Sequence, residues 1–210
     1  MDPNKGPALK ESSSDETIAL LYLGGVRGKV PKVGIFEEPF LWIVQKAIKQ
    51  DVNLRHRLRI HFVGSDDRPL LNVVEKLGLR NICIFHGKVC CNQVGRPLAE
   101  ADVCVLILNS AAEGSGWIPA KTYYYLASGK PILAISPKCG LIDFLRKYSI
   151  CFEVIHPEDK YGWRKLISFL NKIVIEKEFY KGNFCPPEYL KFSRKAIAIE
   201  IAELLKEVSR

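Results

Sequence analysis

The sequence predicts the α/β class: a six-stranded parallel sheet with helices packed on both faces, in one folded unit. Three observations carry this. Six short apolar runs recur along the chain, at Ile18–Leu23, Leu58–Val63, Ile82–Phe85, Val103–Leu108, Pro131–Ile135 and Ile150–Ile155. Several show no polar alternation, as expected of parallel strands covered on both sides. Stretches of helical period separate most of them, so successive strands connect by right-handed crossovers.

The elements follow in order. Residues 1–16 carry Pro3, Gly6, Pro7 and Ser12-Ser13-Ser14 with almost nothing apolar, and are expected to be a linker. The folded domain is expected over residues 17–210. After the first run, Leu41, Val44, Ala47 and Ile48 recur on one helix face. Val73, Val74 and Leu77 do the same after the second, with Gly78 as the stop. Leu166, Phe169, Leu170 and Ile173 mark another helix. The last carries the stripe Ile197, Ile201, Leu204, Leu205 and Val208, with Lys195, Glu200, Glu203, Lys206 and Glu207 off it. That mixture suits packing on protein better than lying on anionic lipid.

Composition narrows the partners. The net charge of +8 is spread along the chain, without a basic stripe or interleaved aromatics, so nucleic acid is not expected. Dispersed charge suits a phosphorylated small molecule or an anionic membrane surface equally well. No run approaches the roughly 20 apolar residues of a membrane span, and no signal pattern opens the chain; a cytoplasmic protein is expected. Of seven cysteines, Cys83, Cys104 and Cys151 sit inside apolar runs, and Cys90-Cys91 lack metal or redox spacing. Free thiols and no metal site are expected.

In a sheet of this kind ligands bind beyond the carboxyl ends of the strands. The first such loop holds Gly24, Gly25, Arg27, Gly28, Lys29 and Lys32: glycines let backbone amides approach a phosphate, and the cations add charge-assisted hydrogen bonds. Its spacing is neither the dinucleotide fingerprint nor the Walker sequence. Gly64 closes the second strand, with Asp66-Asp67 placed to cap a helix. His86-Gly87-Lys88-Val89 follow the third, where backbone groups can meet a flat base edge. After the fourth comes a glycine-rich loop, Glu113-Gly114-Ser115-Gly116, running through Ile118, Pro119 and Ala120 to Lys121. Amides at the helix start, with Lys121, attract a diphosphate, and Glu113 can accept hydrogen bonds from sugar hydroxyls.

This succession resembles the carboxyl-terminal domain of glycosyltransferase family 4 (group 1) enzymes, a Rossmann-like, three-layer half of the GT-B fold. The matching pieces are Tyr22-Leu23-Gly24; Phe62-Val63-Gly64; Phe85 through Val89; Ala101-Asp102-Val103; Ser110 through Gly114; and Pro119-Ala120-Lys121 leading to Tyr125-Leu126-Ala127-Ser128-Gly129-Lys130-Pro131. They span roughly residues 18–208, and Pro119–Pro131 is the specific part. Phe192-Ser193-Arg194 and its helix are similar to the family's last helix, which crosses back toward the amino-terminal domain.

The resemblance implies a retaining transferase of a hexosyl unit from a nucleoside diphosphate sugar, with no cofactor or bound metal. It makes Glu113 the donor-contacting glutamate, catalytic in role. Gly114–Gly116 would face the sugar, Ile118–Lys121 the diphosphate and His86–Val89 the base. The family's second glutamate falls at Tyr124, and the separation is three residues longer than the family's Glu-x7-Glu. Gly25 stands where many members have arginine, with Arg27 and Lys32 as stand-ins. The acceptor site would belong to an amino-terminal domain missing from this chain, so donor binding without much transfer is expected of it alone. The alternative is a non-catalytic relative that binds nucleotide sugars or serves as an interaction module. A doubly wound oxidoreductase or receiver-like domain is disfavoured, since no glycine fingerprint with a downstream acid is present.

Overall fold

The computed structural model describes residues 17–24, 29–30, 34–35, 38–64, 68–90, 93–109, 112–180 and 191–208. The expected linker and Asp66-Asp67 lie outside them. The chain opens with β1 (Ile18–Leu23), a short antiparallel pair β2 (Lys29–Val30) and β3 (Gly34–Ile35), then α1 (Glu38–Gln50) and α2 (Val52–Arg57). There follow β4 (Leu58–Val63), α3 (Arg68–Lys76), β5 (Cys83–Phe85), α4 (Gly95–Glu100), β6 (Val103–Ile107) and α5 (Ala120–Ala127). The remainder is β7 (Ile132–Ile135), α6 (Gly140–Tyr148), β8 (Phe152–Ile155), α7 (Gly162–Ile175), α8 (Lys177–Tyr180) and α9 (Arg194–Val208).

The main sheet has six strands, all parallel, in the order β5-β4-β1-β6-β7-β8. All six predicted runs are strands. Four are shorter than their runs: β5 begins at Cys83, β6 ends at Ile107, β7 begins at Ile132 and β8 begins at Phe152. β1 pairs with β4 along its full length but with β6 only at Leu20↔Val103 and Leu21↔Cys104. Below that short ladder, the amide of Ala19 donates to Asp102 Oδ2 at 2.8 Å and the amide of Asp102 donates to the Ala19 carbonyl at 2.9 Å.

Two apolar cores sandwich the sheet. On one side α1, α2, α3 and α7 bury Phe40, Leu41, Val44, Leu54, Val74, Leu166 and Leu170 against Leu20, Ile60 and Val105. On the other, α5 and α6 bury Tyr125, Leu126, Leu141 and Leu145 against Leu21, Cys104, Leu106 and Ala134. Each such aliphatic side chain removed from water contributes about 1.5–3 kcal/mol. Burial also pushes the thiols of Cys83 and Cys104 up to about 12, so both stay protonated and unreactive. No helix among the described residues is long and apolar enough to cross a membrane.

The last helix is different. Phe192 lodges among Tyr123, Phe144 and Tyr148, with ring centroids 5.1–5.7 Å apart. Beyond that anchor, Ile197, Ile201, Leu204 and Leu205 are each about half exposed.

Candidate functional site

Strand order reverses between β1 and β6, and at such a switch point the two connections leave in opposite directions and open a crevice. Its floor is a row of glycines. Gly24, Gly64 and Gly87 close β1, β4 and β5 with φ of 124°, 112° and 66°. They continue the sheet's bonding past the strands: Gly24 N–H donates to Val63 O at 2.8 Å and Gly64 N–H to Gly87 O at 2.8 Å. A Cβ on Gly64 would lie 3.3 Å from the Gly24 nitrogen. Gly64→Ala therefore meets both a left-handed backbone and a backbone neighbour, and should cost roughly 1–3 kcal/mol. An unchanged urea midpoint would refute that.

The divergence of β1 and β6 leaves the Leu23 amide without a strand partner. Tyr125 supplies one. Its hydroxyl accepts from Leu23 N–H at 2.8 Å and donates to Leu21 O at 3.5 Å, and the side chain is wholly buried. Burial is the main reason its phenol titrates well above the usual range. Tyr125 thus bolts α5 to the end of β1. Pro119 occupies the N-cap of α5 at φ −59°, one position outside the helix, with no side-chain cap hydrogen bond. One turn before Tyr125, Lys121 extends over β1: its Nζ lies 3.7 Å from the centre of the Tyr22 ring, and a Cβ on Gly24 would be 3.5 Å away from it. An ammonium group is thereby held above the glycine floor at a helix N-terminus, the arrangement that favours a phosphate.

The loop before α5 is clamped elsewhere. Gly114, at φ 69°, donates from its N–H to Lys138 O at 2.9 Å, and Gly140 N–H donates to Ser115 O at 2.8 Å. A Cβ on Gly140 would meet Gly116 Cα at 3.1 Å, so only glycine lets α6 approach the loop this closely. Ser115 Oγ donates to Ala112 O at 2.8 Å. Glu113 and Ala120 are exposed, and Ile118 packs on the second core. Tyr124 is half exposed, three residues along α5 from Lys121. The structure therefore places Lys121 over Gly24 at the end of β1, with Gly64 beside Gly24 and Gly87 beside Gly64. The hydrogen bonds of the Gly114–Gly116 segment run instead to Ala112, Trp117, Lys138 and Gly140. Gly25, Arg27 and Lys32 lie outside the described residues.

At the β5 end, Lys88 is exposed and Val89 packs on the second core. His86 has a partner: His61 Nδ1 and His86 Nε2 are 2.9 Å apart and the rings stack. The sequence carries no sign of this pair, 25 residues apart, because the adjacency follows from the β4–β5 register, Phe62↔Phe85. Around His61 stand Ala19 and Leu21 of β1, and Pro97, Glu100 and Ala101 at α4. Partial burial, then His86, lower the pKa of His61; Glu100 opposes them. A group depressed below its unfolded value, here 6.5, contributes stability that is complete above that pH and lost as pH falls through the folded value. Melting temperature should drop on acidification below about pH 6.5. His61→Gln should flatten that dependence; an identical pH profile in the variant would count against the pair.

Among the described residues, no group of three or more His, Cys, Asp or Glu side chains is placed to hold a metal ion. No family model matches the sequence, and no curated protein matches it. Solved structures do. HepE of Anabaena, in complex with UDP-glucose, has a TM-score of 0.61 and 15% identity, covering 92% of this chain and 50% of that one. Sucrose-phosphate synthase of Thermosynechococcus elongatus gives 0.59 and 18%, covering 93% and 46%. WaaG, a glycosyltransferase involved in lipopolysaccharide biosynthesis, gives 0.54 and 21%, covering 80% and 42%. At such identities the likeness is one of fold: the Rossmann-like α/β domain of GT-B glycosyltransferases. The chain spans half or less of the length of these proteins.

Proposed function

We propose that this domain binds a nucleoside diphosphate sugar as the donor half of a retaining, family 4-type hexosyltransferase. The observation that carries the reading is the Lys121 ammonium held over Gly24 at the switch point. In the reaction the sugar–phosphate bond breaks and charge develops on the leaving diphosphate. Lys121 and the amino-terminal end of α5 oppose that charge, a preorganised electrostatic role that calls for no metal. The base lies along His86–Val89, and Glu113, exposed at the loop apex, accepts hydrogen bonds from sugar hydroxyls as Gly114–Gly116 line the sugar. Tyr124 offers a phenol where the family has a carboxylate for the ribose. The acceptor site belongs to a companion amino-terminal domain, against which the half-exposed Ile197, Ile201 and Leu204 of α9 pack, so the chain alone transfers little sugar. Its setting is cytoplasmic, with any membrane contact made through the full-length enzyme.

Calorimetry with a panel of uridine, guanosine and adenosine diphosphate sugars tests this. Saturable binding of at least one is expected. Glu113→Gln should lower affinity for that sugar nucleotide roughly tenfold while leaving the free nucleoside diphosphate unaffected. Equal losses for both ligands would remove Glu113 from the sugar site. Tyr124 favours a second reading, a binding module without transferase activity. Sugar nucleotide binding without transfer, even with the companion domain supplied, would select it.

A further inference from the structure

A second concavity opens at the same end of the sheet, in the helical layer opposite α5. It lies between the first turns of α1 and the connection from β8 to α7, with a volume of about 380 Å³, within the range of small-ligand sites. Two indoles line it, Trp42 of α1 and Trp163 of α7, with Glu38, Lys46, Glu158 and Lys160 among the polar groups.

The walls are preformed. Trp42 Nε1 donates to Glu38 Oε1 at 3.3 Å, which orients an indole that remains 45% exposed. Trp163 leans on the first core. The connecting loop is fixed by Asp159, which accepts from Tyr161 N–H at 2.9 Å and meets Lys165 Nζ at 3.2 Å. At the start of α7 a Cβ on Gly162 would come within 2.5 Å of Ile155 Cγ2, so the helix seats directly on β8.

The lining defines the ligand. Carboxylates and ammonium groups nearly balance, so the pocket gives a diphosphate no net attraction, unlike the crevice at Lys121. The exposed indole of Trp42 suits the apolar C–H face of a sugar ring, with Trp163, whose ring centre lies 5.2 Å from the Arg164 guanidinium, as the neighbouring wall, and carboxylates and amines suit the sugar hydroxyls. We infer that this pocket is a binding site for a neutral saccharide of one or two rings, separate from the donor site. The inference rests on residues that take no part in the donor reading.

Titration with maltose, cellobiose, lactose and N,N′-diacetylchitobiose, followed by the three indole N–H resonances and by calorimetry, tests it. At least one sugar should bind saturably and shift the Trp42 and Trp163 signals, while Trp117, in the loop before α5, stays put. Trp42→Ala should weaken that binding tenfold or more, and Glu158→Gln severalfold, with nucleoside diphosphate binding unchanged in both. Lys121→Ala should leave the saccharide affinity alone. Absence of saturable binding by all four sugars would overturn the inference, as would undiminished binding in Trp42→Ala or displacement of the sugar by a nucleoside diphosphate. None of these results bears on whether a sugar nucleotide binds at Lys121.

Discussion

Lys121→Ala should weaken binding of the nucleoside diphosphate sugar by roughly ten- to a hundredfold. A hydrogen bond to a charged group contributes about 1.5–3 kcal/mol, and each 1.4 kcal/mol is a factor of about ten in affinity. Stability should change little. Lys121 is partly exposed and its contact with the Tyr22 ring is worth only about 0.5–1 kcal/mol at such a site. Lys121→Arg should recover much of the affinity, since the charge stays over the glycine row. The salt dependence adds an independent reading. Wild-type affinity should fall as ionic strength rises, with a shallower slope in the alanine variant. Equal affinity of the two proteins would abolish the assignment of the phosphate to this crevice.

Tyr125 carries the second large effect, on stability. In Tyr125→Phe the ring still fills its place, but the Leu23 amide loses its 2.8 Å acceptor inside the fold. A buried donor left unsatisfied costs about 1–3 kcal/mol. Tyr125→Ala adds a cavity in the second core and should lose about 3–5 kcal/mol, a large part of the roughly 5–15 kcal/mol that holds a typical domain together. Urea titrations give both values, and amide exchange at Leu23 should quicken in the phenylalanine variant. A Phe variant as stable as the parent would show that the hydroxyl is dispensable.

Much of this was legible beforehand because of where the sheet lies. Strands buried on both faces, such as Val103–Ile107, need apolar residues at every position, and so announce themselves as unbroken runs. Gly78 marked a helix end because the chain turns left-handed there, at φ 67°. Short elements gave no such signal. The six residues of α2 and of α4 are too few to display a period, α6 buries only Leu141 and Leu145, and β2 and β3 are two residues each.

In the site, Lys121 could be picked out by its chemistry, whereas its neighbour Tyr22 could not, since only the fold sets α5 over the end of β1. The tyrosine triplet shows the limit most clearly. Tyr123 joins the aromatic nest, Tyr124 faces solvent and Tyr125 is buried against β1. Their sequence environments are nearly the same. Successive helical positions are about 100° apart, and only tertiary packing decides which one turns inward.

The two-pair ladder between β1 and β6 makes the centre of the sheet a seam. Full ladders unite the strands on either side of it, whereas the seam has two ladder pairs and the Asp102 N–H to Ala19 O bond, extended by side chains, the Asp102 carboxylate at one end and the Tyr125 phenol at the other. Resistance to tearing along this line is thus shared between a short ladder and two replaceable side chains, and a point change at either end loosens a joint that a full ladder would have kept beyond the reach of side-chain mutation.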